Sequence, residues 1–254
     1  MAQPFEDWYK NLPIVTKIYM TGCVVTSVSV YLGLVGPLRL YLNFPLVFGK
    51  YEFWRLFTNF FFYDEIGMNF FFHMYFLVRH SRLLEESSFR GRSADYLFMW
   101  IFGSFLLLIM DAFLFYTKIV TKVLFLAPSI AFMVIYVWSR RNPNMHISFL
   151  GLFTFSAPYL PWVILIMGYL FNHDLTTDLL GAVAGHAYYF LEDAYPLISN
   201  RRLLKTPGFL KNLMDGQEQP IVDAHQQQEV QQAQQQEVQQ PVQNFLNEDD
   251  LDQQ

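Results

Sequence analysis

The chain has one cysteine, Cys23. No intramolecular disulfide can form, so nothing in the fold depends on an oxidising compartment. Charge is scarce as well: Asp, Glu, Lys and Arg make up 15% of the 254 residues, against roughly 25% in soluble domains. There is no basic patch interleaved with aromatics, which argues against a nucleic-acid partner. Zinc-ligand spacings, phosphate-binding loops and dinucleotide fingerprints are missing, so neither metal nor cofactor is expected. His73 and His80 share one apolar run and read as a bundle face and an interface, not as metal ligands. No inverted repeat of apolar segments is visible, which disfavours the transporter class, ion- or proton-coupled.

What the chain does have is apolar surface. Hydrophobic residues account for 53% of it, with 27 phenylalanines. A helix needs about 20 apolar residues to cross a bilayer, and six runs meet or approach that length. They cover residues 18–36, 56–78, 96–116, 119–138, 149–171 and 175–191. The second is interrupted by Asp64, Glu65 and Gly67, which moves its expected start towards Ile66. The third contains Asp111, the fourth Pro128, the fifth Pro158 and Pro161, and the sixth Asp178 and His186. Interior prolines and glycines are tolerated where neighbouring helices satisfy the freed backbone groups. The expectation is therefore an all-α integral membrane protein, a packed six-transmembrane-helix bundle. The first run is long for a signal sequence and lacks a small-x-small cleavage site, so it is expected to stay as a span.

Orientation follows from the basic residues beside the runs. With the N-terminus in the cytosol, Lys10, Lys17, Arg79, Arg82, Arg90, Arg92, Arg140, Arg141, Arg201, Arg202, Lys205 and Lys211 face that side. Only Arg39, Lys50, Arg55, Lys118 and Lys122 face the other. This predicts both termini in the cytosol. The segment Pro37 to Arg55, rich in Leu, Phe, Tyr and Trp, is expected to lie partly in the membrane surface. The membrane domain is assigned to residues 1–210 and a disordered cytosolic tail to 211–254. In the tail, 13 of the 27 residues from Gln217 to Gln243 are Gln, which offers no apolar face to offset ordering entropy. Its acidic end, Phe245 to Asp252, has the make-up of a short docking motif as well as of a solvated tail.

Five stretches, in order, resemble one family. They are Trp54-Arg55; Arg82-Leu-Leu-Glu-Glu-Ser-Ser-Phe-Arg-Gly-Arg-Ser-Ala-Asp95; Tyr136-Val-Trp-Ser-Arg-Arg-Asn-Pro143; Ala157-Pro-Tyr-Leu-Pro-Trp162; and Gly185-His-Ala-Tyr-Tyr-Phe-Leu-Glu-Asp-Ala-Tyr-Pro196. Over residues 5 to 210 the chain resembles the derlins, rhomboid-like pseudoproteases of the endoplasmic reticulum. The resemblance implies a rhomboid-like six-helix bundle without protease activity. It also implies a role in endoplasmic-reticulum-associated degradation: misfolded luminal and membrane proteins are moved to the cytosol. The implied partners are those substrates, a membrane ubiquitin ligase complex, a cytosolic AAA ATPase and the lipid bilayer; a homo-oligomer stays open. The tail departs from many derlins in lacking a clear glycine- and leucine-containing box for the ATPase.

The candidate site residues follow. Trp54 and Arg55 match the tryptophan-arginine pair of the first rhomboid loop; an indole suits the interface, and a guanidinium reaches phosphates or backbone carbonyls. Gly181 and Gly185 form a small-xxx-small pattern for close helix packing. Ser129 and His186 stand where a rhomboid protease has its nucleophile and base. The Gly-x-Ser-Gly context of that nucleophile reads Ala127-Pro-Ser-Ile130 here; Pro128 supplies no backbone donor, and Ile130 adds bulk where a glycine belongs. No catalytic residue is expected, although an active intramembrane serine protease is the first alternative. Asp111 and Asp178 are expected near span ends, Asp111 beside Lys118 and Lys122, and Asp178 as a helix cap. Glu192 and Asp193 are expected to pair with Arg201 or Arg202.

Overall fold

The computed structural model describes residues 3–118, 123–149, 153–170, 174–201 and 203–215. The glutamine-rich segment and the acidic end, expected to be disordered, lie outside the described residues. In chain order the elements are helices α1 (Gln3–Lys10), α2 (Ile14–Tyr31), α3 (Phe44–Gly49), α4 (Arg55–Thr58), α5 (Met68–Ser87), α6 (Ser93–Thr117) and α7 (Ala127–Arg141). A hairpin of β1 (His146–Phe149) and β2 (Phe153–Ser156) follows. The chain then forms α8 (Leu160–Leu170), α9 (Thr176–Tyr189), α10 (Tyr195–Ser199) and α11 (Gly208–Asp215).

The centre of the bundle is α7. From Ser129 to Ser139 every residue is buried, the mark of a helix enclosed on all sides. Around it stand α5, α6, α8 and α9. Helix α6 turns Tyr96, Met99, Gly103, Leu107 and Asp111 inward, while Ile101, Phe105, Ile109 and Phe113 remain exposed on its outer side. An apolar outer face is disfavoured in water and suited to lipid.

By length and composition, α2 and α6 are the two described helices able to cross a membrane. The others are shorter or more polar than the sequence suggests. Helix α7 has 15 residues, about 22 Å at 1.5 Å per residue, against a hydrocarbon core of about 30 Å. Pro128, expected inside a span, stands instead in the first turn of α7. There its missing N–H costs no helical bond. Residues 119–122, the expected start of that span, lie outside the described residues.

The largest departure concerns residues 149–171, where a single helix is expected. The chain there completes an antiparallel hairpin, with His146 opposite Ser156 and Ile147 opposite Phe155. One 3₁₀ turn, Ala157–Tyr159, leads into the eleven-residue α8. Pro158 and Pro161 each lack an N–H, so a helix running through them is weakened and one starting at them is not.

The helix termini have local causes. Helix α2 begins after Pro13, and the Glu85 carboxylate accepts from its first free N–H groups, Val15 at 3.0 Å and Thr16 at 2.9 Å. It ends at Tyr31 and not near Gly36, because Gly33 adopts φ of +70°. Gly33 N–H then reaches Val30 O and Leu34 N–H reaches Ser29 O, a Schellman termination. Helix α5 starts at Met68 but runs past residue 78 to Ser87, since Leu77, His80, Ser81, Leu84 and Glu85 continue its inward stripe. Thr16 Oγ1, Ser81 Oγ and Tyr96 OH form a buried chain at 2.7 Å per step, joining α2, α5 and α6.

At the C-terminal side, α9 continues through a wider turn, Phe190–Ala194, into α10. The domain boundary expected at residue 210 falls inside α11, whose Leu210 and Met214 are buried and which packs against α6.

Candidate functional site

Two regions hold the candidate residues. The first is the segment between α2 and α5. Arg55, at the start of α4, is 5% exposed. Its Nη1 donates to the carbonyls of Leu38 and Tyr41, both at 3.0 Å. Its Nε donates to Glu52 Oε2 at 2.6 Å, and the guanidinium lies 5.1 Å from the Tyr41 ring centre. The planar fork thus ties two ends of the loop to one point, a task a lysine ammonium does not match. Thr58 Oγ1 adds a bond to Leu40 O at 3.0 Å.

This loop is also fixed to the segment before α7. Leu42 N–H donates to Leu124 O at 3.0 Å, and Leu126 N–H to Asn59 O at 3.2 Å. Trp54 points away and is half exposed, and Leu38, Phe48, Tyr51, Phe53 and Phe57 are exposed beside it. One face of the loop is therefore anchored by buried polar bonds, and the other is an apolar, aromatic surface of the kind that sits at a membrane interface.

The second region is the seam between α7 and α9. A Cβ on Gly181 would stand 2.3 Å from the Ser129 carbonyl oxygen and 2.8 Å from Phe132 Cβ. A Cβ on Gly185 would stand 2.9 Å from Tyr136 Cβ. The two helices meet backbone to backbone and run in the same direction, because Gly181 faces Ser129 and Gly185 faces Tyr136. The small-residue pattern thus lets the core helix approach α9 more closely than any side chain allows.

Ser129 and His186 both lie along this seam without forming a catalytic pair. His186 Nδ1 is hydrogen-bonded to Tyr136 OH at 2.9 Å. Ser129 Oγ is fully buried and has no hydrogen-bond partner among the described residues. A serine nucleophile needs a base within hydrogen-bond reach, and among the described residues no bond joins Ser129 Oγ to His186, whose Nδ1 is the ring nitrogen held by Tyr136. Among the described residues no three His, Cys, Asp or Glu side chains converge as metal ligands.

Other carboxylates are placed differently from expectation. Asp193 pairs with Arg141 through two bonds of 2.9 and 3.0 Å, not with Arg201; Arg202 lies outside the described residues. Arg141 also lies 4.5 Å from the Phe89 ring centre, which brings the turn after α5 to the ends of α7 and α9. At the start of α9, Asp174 accepts from Thr176 N–H at 3.0 Å. Asp178 lies in the first turn of α9, where Asp174 also accepts from the Thr176 hydroxyl at 2.7 Å. Asp111 is 5% exposed and makes no hydrogen bond or ion pair among the described residues; Lys122 lies outside them. With Tyr41, Asn43, Phe44, Leu114, Phe115 and neighbours it lines a cavity of about 320 Å³.

These contacts also sort the bundle ends. Glu85 against Val15, Ser81 against Tyr96, Arg141 against Asp193 and Thr206 against Asp95 lie at one end. Arg82, Arg92 and Arg140 accompany them in the same terminal turns. The loop with Arg55 lies at the opposite end, beside Leu124 and Leu126.

Glu85 and Tyr136 were not apparent from sequence as structural hubs. Glu85 is one of two adjacent glutamates. The available signal was spacing, since Leu77, Ser81 and Glu85 are four apart and share a helix face.

Comparison with known proteins covers this same unit. Residues 12–208 match the model of the Der1-like family. Derlin-2.2 of Arabidopsis thaliana is 49% identical over 226 residues, covering 87% of this chain and 92% of that protein. Derlin-2 of Oryza sativa subsp. japonica is 50% identical over 217 residues, covering 84% and 87%. Derlin-1 of Arabidopsis thaliana is 41% identical over 214 residues, covering 84% and 78%. The helical unit with its anchored aromatic loop and close α7–α9 seam belongs to a member of the Der1-like family, the derlins.

Proposed function

We propose that this protein is a non-proteolytic factor of endoplasmic-reticulum-associated degradation that assists the passage of misfolded luminal and membrane proteins to the cytosol. In this reading it is a rhomboid-like six-span protein of the endoplasmic reticulum membrane with both termini cytosolic. It works beside a membrane ubiquitin ligase and a cytosolic AAA ATPase.

The observation that carries the non-proteolytic reading is Ser129, whose Oγ is buried and, among the described residues, bonded to no base. Family membership supports the cellular role. The mechanism is physical. Helices as short as α7 and α8 fall below the thickness of the hydrocarbon core, and such mismatch thins a bilayer locally. Moving an unpaired peptide group through hydrocarbon costs several kcal/mol, and thinning shortens that path. Arg55 and the glycine seam hold the short helices and the interfacial loop in place while a substrate passes.

The test is a glycosylated, misfolded luminal reporter in cells with the proteasome blocked. Cells with the protein are expected to accumulate full-length, deglycosylated reporter in the cytosol. Cells without it should retain the glycosylated form in the lumen. Shortened reporter fragments that disappear with Ser129→Ala would instead identify a protease.

A further inference from the structure

Asp111 is the carboxylate on the inward stripe of α6, six residues before the end of that helix. Its side chain is more than nine-tenths buried. Among the described residues it has neither a cation nor a hydrogen-bond donor, whereas the other buried carboxylate, Glu85, accepts from Val15, Thr16 and the Thr16 hydroxyl. A buried carboxylate without a counter-charge is unstable as an anion. It is relieved either by a proton or by a cation, and the cavity it lines is where a cation fits.

The walls define the partner's chemistry. Phe44 and Phe115 contribute aromatic rings 5.6 Å apart and tilted by 54°, while the Tyr41 ring is engaged by Arg55. The polar groups of Asn43 and Tyr41 bond to each other at 2.8 Å. A hard metal ion requires several oxygen ligands, and one carboxylate does not supply them. One anionic group among aromatic faces instead suits an organic ammonium, held by charge and by cation–π attraction. The volume of about 320 Å³ admits such a group with its attached carbons.

The position of the cavity defines the source. It lies between the last two turns of α6 and the loop whose outer residues Phe48, Tyr51, Phe53 and Trp54 are exposed. With its 25 residues, α6 is about 37 Å long, so its ends overreach a hydrocarbon core of about 30 Å. Asp111 then stands just beneath the headgroup layer. We propose that this cavity binds the ammonium group of a zwitterionic phospholipid headgroup, ethanolamine or choline, and so couples the Arg55-anchored loop to the bilayer. The proposal rests on α6 crossing the membrane, and not on substrate export.

The experiment is native mass spectrometry of the delipidated full-length protein in detergent. Phosphatidylethanolamine, phosphatidylcholine and phosphatidylglycerol are added separately. The wild type is expected to retain the two ammonium lipids on the order of tenfold better than phosphatidylglycerol. Asp111→Asn, nearly equal in shape, should lose that preference. Phe115→Leu should weaken it, and Glu65→Gln, at an exposed carboxylate, should leave it intact. Equal retention of all three lipids by wild type, or an unchanged preference in Asp111→Asn, overturns the proposal. Free choline or ethanolamine binding as tightly as the lipids assigns the site to a soluble amine and overturns the lipid source. A lysine-containing peptide that binds where the lipids do not overturns it in favour of a protein side chain. Substrate degradation in the Asp111→Asn cells is read separately, so failure of the lipid site leaves the export reading standing.

Discussion

Replacing Gly181 by alanine places a methyl carbon 2.3 Å from the Ser129 carbonyl oxygen and 2.8 Å from Phe132 Cβ. Neither atom is the free end of a side chain, so relief requires α7 and α9 to separate by about 1 Å. Overpacking of this kind costs about 1–3 kcal/mol, with the upper end expected where backbone must move. Alanine also regains about 1 kcal/mol of helix propensity over glycine, leaving a net loss of about 2 kcal/mol. Gly103→Ala is the matched control. Its Cβ would meet Met133 Sδ and Cε, the end of an adaptable side chain, so the propensity gain offsets most of the strain. Cys23, the single cysteine, is fully buried, which makes a thiol-reactive fluorophore a direct reporter of unfolding. At about 2–4 °C per kcal/mol for a protein of this size, Gly181→Ala should lower the midpoint by about 4–8 °C. Gly103→Ala should shift it by no more than about 2 °C. Equal midpoints, or a lower one for Gly103→Ala, would refute the claim that backbone contact at Ser129 fixes the seam.

Three further outcomes are expected. Glu85→Ala removes the acceptor of Val15 N–H, Thr16 N–H and Thr16 Oγ1 and should destabilise by about 3 kcal/mol or more; the neighbouring exposed Glu86→Ala should cost less than about 1 kcal/mol. In a double-mutant cycle by thermal unfolding, Arg141→Ala and Asp193→Ala should couple by about 1–2 kcal/mol, whereas Arg201→Ala and Asp193→Ala should show no coupling. Ser129→Ala discards a buried hydroxyl that has no partner among the described residues and should leave stability in the same assay unchanged or raise it by about 1 kcal/mol.

The parts that the sequence made legible are those governed by continuous apolar runs. Residues 96–116 lie within α6, and the first run overlaps α2, because unbroken hydrophobicity of that length has few other solutions. The hairpin at His146–Ser156 was not legible. Its aromatic and β-branched residues serve a buried helix or a strand equally well, and Pro158 gave no sign that it begins a helix and does not merely interrupt one. The seam was legible as a small-residue pattern, but its partner was not: spacing names Gly181 and Gly185, while only three dimensions name Ser129 and Tyr136 opposite them. Charge partners were the least legible. Asp193 lies closer in sequence to Arg201 than to Arg141, yet the turn after α9 delivers it to the end of α7. Asp111 was legible as a carboxylate near the end of its apolar run, whereas its inward position on α6 and the cavity it lines were not.

The most direct test of the account is the half-life of a misfolded endoplasmic-reticulum reporter in cells lacking this protein, complemented with three forms at matched expression. Wild type and Ser129→Ala/His186→Ala are expected to restore rapid degradation. Trp54→Ala/Arg55→Ala is expected to fail, because Leu38, Tyr41 and Glu52 lose the guanidinium that holds the loop. Full rescue by the Trp54/Arg55 form together with failure of the Ser129/His186 form would contradict the account and return the protein to the proteases.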